Sequence, residues 1–266
     1  LALGSLPVGR GAAGAGVEVE KDTVWPTGQG ERRTMNAKTL GMIAGTATLG
    51  LAAMPAAADV IEVTHYLGSP AEIADDAYDG TLASMLADTI YLSVGPLDGL
   101  ITDINVTVGM DHTWMGDLTI KFGNGSALLA LVNRAGIDGG PDDGTGCCGD
   151  SSNLSAEYGI TFDDEAASGL SAELMGDGID SAQIIGLDSP NNYTPDPDGA
   201  AGLGSLAGFD GSTVNGAYTI YIGDSAGGDV GALSWWSVRI EYTEIPAPGA
   251  LALLGLAGLA GRRRRA

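Results

Sequence analysis

Three acids in a row, Asp163-Asp164-Glu165, follow a strand-like stretch, and Asp117 and Asp224 stand at comparable strand ends. Carboxylates packed this closely repel one another unless a cation or hydrogen-bond donors offset the charge. A hard divalent cation takes about six to eight oxygen ligands, so Asp117, Asp163, Asp164, Glu165 and Asp224 are the candidate ligands for Ca2+. The competing reading is acidic turns that hydrogen-bond their own backbone amides. Asp196-Pro197-Asp198-Gly199 opens like an EF-hand loop, but the closing Glu is absent at its required offset. Gly139-Gly140-Pro141-Asp142-Asp143-Gly144 matches a calcium-binding nonapeptide only loosely and reads as a solvated loop.

Catalytic chemistry finds less support. The chain has two histidines, His65 and His112. His112 follows a strand beside Trp114, at a corner where a histidine packs and hydrogen-bonds. A Ser-His-Asp triad needs three placed parts, and no catalytic residue is assigned. The two cysteines, Cys147 and Cys148, are adjacent. They read as two loop thiols or one strained vicinal bridge; no CxxC spacing or nearby His supports a redox or metal site. Trp235 and Trp236 are neighbours in a strand and so face opposite sides. One enters the core; the other lies on the outer face or under a loop, where an exposed indole stacks on a sugar ring or a partner surface.

The elements that must position these residues are short strands. Ile101–Val108 and Leu118–Phe122 alternate apolar and polar side chains, which predicts strands with one buried face. Gly123-Asn124-Gly125 turns the chain into a more buried strand, Ala127–Val132. Further strands are expected at Thr89–Val94, Tyr158–Phe162, Gln183–Ile185, Ala217–Ile222 and Leu233–Tyr242. Loops are expected at Ala135–Asn153 and Leu187–Gly202. With 43 Gly in 266 residues and little helical periodicity, the pattern predicts an all-β, antiparallel, jelly-roll-like β-sandwich.

An ordered series of segments then carries a resemblance. Ile101-Thr102-Asp103-Ile104-Asn105-Val106 is followed by His112-Thr113-Trp114-Met115-Gly116-Asp117-Leu118-Thr119-Ile120, then Thr161-Phe162-Asp163-Asp164-Glu165-Ala166 and Phe209-Asp210-Gly211. The series ends with Gly216-Ala217-Tyr218-Thr219-Ile220, Asp224–Gly231 and Leu233-Ser234-Trp235-Trp236-Ser237-Val238. From about Ile73 to Tyr242 it resembles the P/Homo B domain of the proprotein convertases and bacterial subtilisin-like proteases. The family's hairpin carries Ser-Pro-x-Gly where this chain has Gly123-Asn124-Gly125-Ser126, a swap that keeps a tight turn. The resemblance implies a sandwich, an association with serine endopeptidases and calcium binding. The protease domain itself is missing, so no enzyme activity is expected.

Both ends look like addresses. Met35-Asn36-Ala37-Lys38, an apolar run Leu40–Leu51, Pro55 and Ala56-Ala57-Ala58 have the form of a secretory signal peptide, residues 35–58, cut after Ala58 by signal peptidase. Residues 1–34 are then an upstream extension, expected to be disordered. After the domain at 59–245, the tail 246–266 has Pro246 and Pro248, the apolar stretch Ala250–Ala260 as a short helix, and Arg262, Arg263, Arg264 and Arg265. This order resembles the PEP-CTERM sorting signal and implies transient inner-membrane anchoring and cleavage by a membrane sorting protease.

Between Asp59 and Ile245 stand three cations, Lys121, Arg134 and Arg239, against thirty acids, a net charge of −27. Such a surface repels phosphate backbones, so no nucleic-acid partner is expected. The expected function is an exported, cell-surface, calcium-stabilised structural or interaction module, with another surface protein or a surface polysaccharide as partner. The alternatives are service to a subtilisin-like serine endopeptidase and extracellular carbohydrate binding.

Overall fold

The computed structural model describes residues 58–95, 98–137, 139–146, 148–176 and 183–245. Except for Ala58, the predicted signal peptide, the upstream extension and the sorting tail lie outside these residues. Nine strands appear: β1 (Asp59–Ile73), β2 (Leu86–Leu92), β3 (Gly99–His112), β4 (Leu118–Gly123), β5 (Leu128–Asn133), β6 (Ile160–Phe162), β7 (Asn192–Tyr193), β8 (Gly216–Asp224) and β9 (Gly231–Glu244). They form two sheets, β1-β9-β3-β6-β7 and β2-β8-β4-β5, antiparallel apart from the short β6–β7 pair. The all-β sandwich expected from the alternation is the observed architecture.

The core lies between the sheets. Phe122 of β4 is fully buried and stacks on Tyr218 of β8 at 6.0 Å, with Phe209 and Trp236 edge-on at 5.4 and 6.4 Å. Inward residues of β3 (Ile104, Val106, Val108, Met110) and β9 (Leu233, Trp236, Val238, Ile240) complete the facing layer. Each such side chain removed from water contributes about 1.5–3 kcal/mol. The β4–β5 hairpin turns as expected. Asn124 Oδ1 accepts from Ser126 N–H at 3.2 Å and Ala127 N–H at 3.1 Å, and Gly125 takes φ 81°, a conformation that favours glycine.

Besides the two-residue β7, which forms inside the expected loop Leu187–Gly202, three features depart from the sequence reading. β1 is a strand of 15 residues where none is expected. Its inward residues Ile61, Val63 and Leu67 are only partly buried, and Gly68-Ser69-Pro70 looks like a strand breaker. The register shifts across that segment, between Tyr66 and Ala71. An edge strand tolerates such an interruption because one side of its ladder is free. Second, Gln183–Ile185 is not a strand. Ile184 makes an isolated bridge to Asn153, and Ile185, fully buried, donates its N–H to the Asn153 carbonyl at 3.0 Å. Third, β4 alternates in sequence but is buried on both faces. The segments around Tyr78 and Asp142 cover its outer side, where Lys121 Nζ donates to Tyr78 Oη at 2.8 Å and to Asp142 Oδ2 at 2.6 Å. Burial and the Asp142 carboxylate hold the Tyr78 phenol well above its ordinary range.

Candidate functional site

The five predicted calcium ligands separate into three places. β3 and β6 pair with Val106 opposite Phe162, so the turn after β6 comes to lie beside the first half of β3. There Asp163 and Glu165 meet Asp103, with one carboxylate oxygen of each lying within 4.8 Å of the others. Burial, and then the charge of Asp163, raise the Asp103 carboxyl above the usual carboxylate range, against the pull of Arg239. Glu165 is raised too, by desolvation and then by Asp103. The Asn105 amide donates to Asp163 Oδ1 at 3.1 Å and to Ile104 O at 3.0 Å, tying the cluster to β3. Asp103, Asp163 and Glu165 gather carboxylate oxygens of the kind calcium takes. Arg239 Nη1 competes for Asp103 at 3.6 Å.

Asp164 does not join its neighbours. Its two oxygens accept the backbone N–H groups of Leu206 (3.0 Å) and Ala207 (2.7 Å), at the start of the 3-10 turn Leu206–Phe209. That is the acidic-turn reading realised across the fold, and Asp163 realises it locally, its Oδ1 accepting the Glu165 N–H at 2.9 Å.

Asp117 and Asp224 lie at the other end of β3, about 30 Å from Asp103 at some 3.3 Å per strand residue. β4 and β8 pair with Leu118 opposite Asp224, which sets the two acids side by side. Asp224 is fully buried and meets His112 Nε2 at 3.2 Å, while His112 Nδ1 sits 2.8 Å from the Trp114 carbonyl. The His112 side chain has no exposed surface, and both ring nitrogens are engaged. Asp117 is pushed up to about 6, by burial first and then by the charges of Asp224 and Asp229, with His112 opposing. Trp114 Nε1 and Ser225 Oγ are buried here without a hydrogen-bond partner among the described residues.

Sequence reasoning misses that Gly223-Asp224-Ser225-Ala226-Gly227 fits the G-x-S-x-G pattern of a nucleophile elbow. Here Ser225 follows β8 into a turn, not into a helix, and is 5% exposed. Other residues are placed by tertiary contacts alone. Asp88 Oδ2 takes both His65 Nδ1 and Trp236 Nε1 at 2.7 Å, tying β1, β2 and β9 together at one edge of the sandwich. Arg134, buried with φ 58°, donates to the carbonyls of Thr145 and of Pro141 and so organises the Gly/Asp loop. Asp198, from the EF-hand-like stretch, caps Gly139 N–H at 2.9 Å and Gly140 N–H at 3.2 Å; the two calcium-like loops hold each other. Cys148 is disulfide-bonded, and Cys147 lies outside the described residues.

The two adjacent tryptophans divide as their alternation requires. Trp236 is fully buried between the sheets. Trp235 lies half-buried on the outer face of the β1-β9-β3 layer, its indole N–H donating to the Ala156 carbonyl at 2.9 Å.

No family model matches the chain, and no curated protein matches it. Among solved structures, the complex of an Aeromonas sobria serine protease with its chaperone is similar at 14% identity and a TM-score of 0.37. That match covers 70% of this chain and 28% of the other. The serine protease of Aeromonas sobria alone is similar at 14% identity and TM-score 0.37, over 69% of this chain and 27% of that one. The chain thus spans little more than a quarter of the length of these proteins.

Proposed function

We propose that the chain is exported and displayed at a cell surface as a non-catalytic, P/Homo B-type β-sandwich, a structural or interaction module whose loops a calcium ion rigidifies. The observation that carries the calcium part is the carboxylate cluster of Asp103, Asp163 and Glu165, one oxygen of each lying within 4.8 Å of the others. Of the five expected ligands the proposal uses Asp163 and Glu165, joined by Asp103; Asp117, Asp164 and Asp224 lie in other groups. Support for display comes from the secretory pattern ending at Ala58 and from the tail with Pro246, Pro248 and Arg262–Arg265. Support for the non-catalytic reading is the committed, solvent-free imidazole of His112.

A cation that binds only the folded state stabilises it by mass action, by about 2.7 kcal/mol at a hundredfold excess over Kd. For a domain of this size that corresponds to a rise in Tm of roughly 5–10 °C. Scanning calorimetry with millimolar Ca2+ is expected to show that rise, and a chelator is expected to reverse it. Asp103→Asn and Asp163→Asn should each abolish the effect, and Asp117→Asn should leave it. An unchanged melting curve removes calcium from the account. Mass spectrometry of the native protein from fractionated cells is expected to find a mature start at Asp59 and a cut near Pro246. Labelling by a serine-directed covalent probe would overturn the non-catalytic reading.

A further inference from the structure

The outer face of the β1-β9-β3 layer carries a built aromatic plate. In the pairing, Tyr66 of β1 and Gly109 of β3 stand on either side of Trp235 of β9. The indole occupies the space above two glycines: a Cβ on Gly109 would come within 2.1 Å of the ring, and one on Gly159 within 2.5 Å. Its N–H is pinned to Ala156, so the ring cannot swing away. Tyr66, 72% exposed, extends the plate with its ring centre 6.1 Å from that of Trp235 and tilted by 38°. Core packing does not require this arrangement, because Trp236 already fills the interior from the same strand.

Beside the plate runs an open groove of about 730 Å³, with Glu72, Asp75 and Asp111 among its lining residues. Ala156 joins the two features: its N–H donates to Asp111 Oδ1 at 3.0 Å and its carbonyl accepts the Trp235 indole. Among the described residues lining the groove, every titratable side chain is a carboxylate, which only accepts hydrogen bonds. The cations Lys121, Arg134 and Arg239 are committed elsewhere, to Asp142, to loop carbonyls, and to Glu241 and Asp103.

We infer that this face binds a neutral polysaccharide strand, a sugar ring stacking on Trp235 and Tyr66 while its hydroxyls donate to Glu72 and Asp111. A rigid aromatic plate next to acceptors matches a ligand that offers C–H faces and O–H donors. The net charge of −27 turns away uronate and sulfated polymers. A cationic peptide is the weaker match. Asp75 and Asp111 already accept the N–H groups of Gly228 and Ala156, so these carboxylates have donors without a counter-ion.

The inference names a partner class for the interaction module and rests on that reading for its location only; it does not depend on calcium. The test uses the purified full chain in chelator, on an array of neutral hexose and N-acetylhexosamine oligosaccharides, with polygalacturonate and oligolysine alongside. Binding to a neutral oligosaccharide is expected, weakened roughly tenfold by Tyr66→Ala, the size of an aromatic contact. Asp111→Asn should weaken it too, and Trp235→Ala should abolish it. Tyr66 is exposed enough for its variant to fold, which keeps the test valid should Trp235→Ala unfold. No binding to any neutral oligosaccharide, binding unchanged in Tyr66→Ala, or a preference for oligolysine or polygalacturonate each overturns the inference. Calorimetry with calcium separately decides the reading on which the module's rigidity rests.

Discussion

Asp117 shows how one buried carboxyl records its surroundings. It is 4% exposed, faces the charges of Asp224 and Asp229, and is pushed from an ordinary 3.8 up to about 6. A carboxyl raised in the folded state adds stability at low pH, and that stability is lost as pH rises through the folded value. In chelator, the protein should therefore lose up to about 3 kcal/mol from this group between pH 4 and pH 7. Asp117→Asn should flatten that part of the profile and raise stability at pH 7. Urea titrations at a series of pH values measure both effects; a variant with an unchanged slope would show that Asp117 is not the group responsible. Arg134 makes the opposite point about charge. A guanidinium buried among loop carbonyls is desolvated, and the loop closes around it because those carbonyls repay the cost.

Strands carry the next level. β3 and β9 are the longest-paired elements, and both lead from the Asp103 cluster to the His112 corner. Their contact is tuned by Gly109, whose missing side chain seats Trp235. A methyl there has no room, so Gly109→Ala is expected to expel the indole, destabilise the fold by about 1–3 kcal/mol and expose a tryptophan. Chemical denaturation and a red-shifted emission spectrum would register both changes; native stability and emission would show that the ring has another resting place. β1 closes the same sheet at its free edge, held by β9 and by the Asp88 contact to His65. Between the exposed Val60 and Tyr66 its outward residues Glu62 and Thr64 are polar, which discourages further strand pairing.

At the scale of the molecule, thirty acids against three cations make the folded body repel itself. Screening by salt shortens that repulsion to about 10 Å at 0.1 M. Stability should rise with monovalent salt, sodium and choline chloride acting alike because screening is not chelation. Thermal melts in both salts, with chelator present, test this; a rise with sodium alone would point to a bound ion in place of general screening. The acids are also spread by the topology into separate groups, so the local repulsion is far smaller than the sequence runs suggest. Asp163, Asp164 and Glu165 are consecutive, yet Asp164 is spent on the Leu206–Phe209 turn.

Side-chain alternation in Ile101–Val108, Leu118–Phe122 and Leu233–Tyr242, with Asn124 and Gly125 at a tight turn, was enough to determine the β-sandwich and the division of labour between Trp235 and Trp236. These are local signals: a period of two fixes which face a side chain takes, whatever the partner strand. The candidate site was only half legible. Asp163 and Glu165 declare themselves by standing two residues apart, whereas Asp103 lies some sixty residues earlier and joins them only through the β3–β6 register. The same holds for Asp88 between His65 and Trp236, for Asp198 over Gly139, and for β1, which β9 turns into a strand. Contacts between residues distant in the chain depend on strand pairing and loop closure, and no local run of side chains encodes where those will fall.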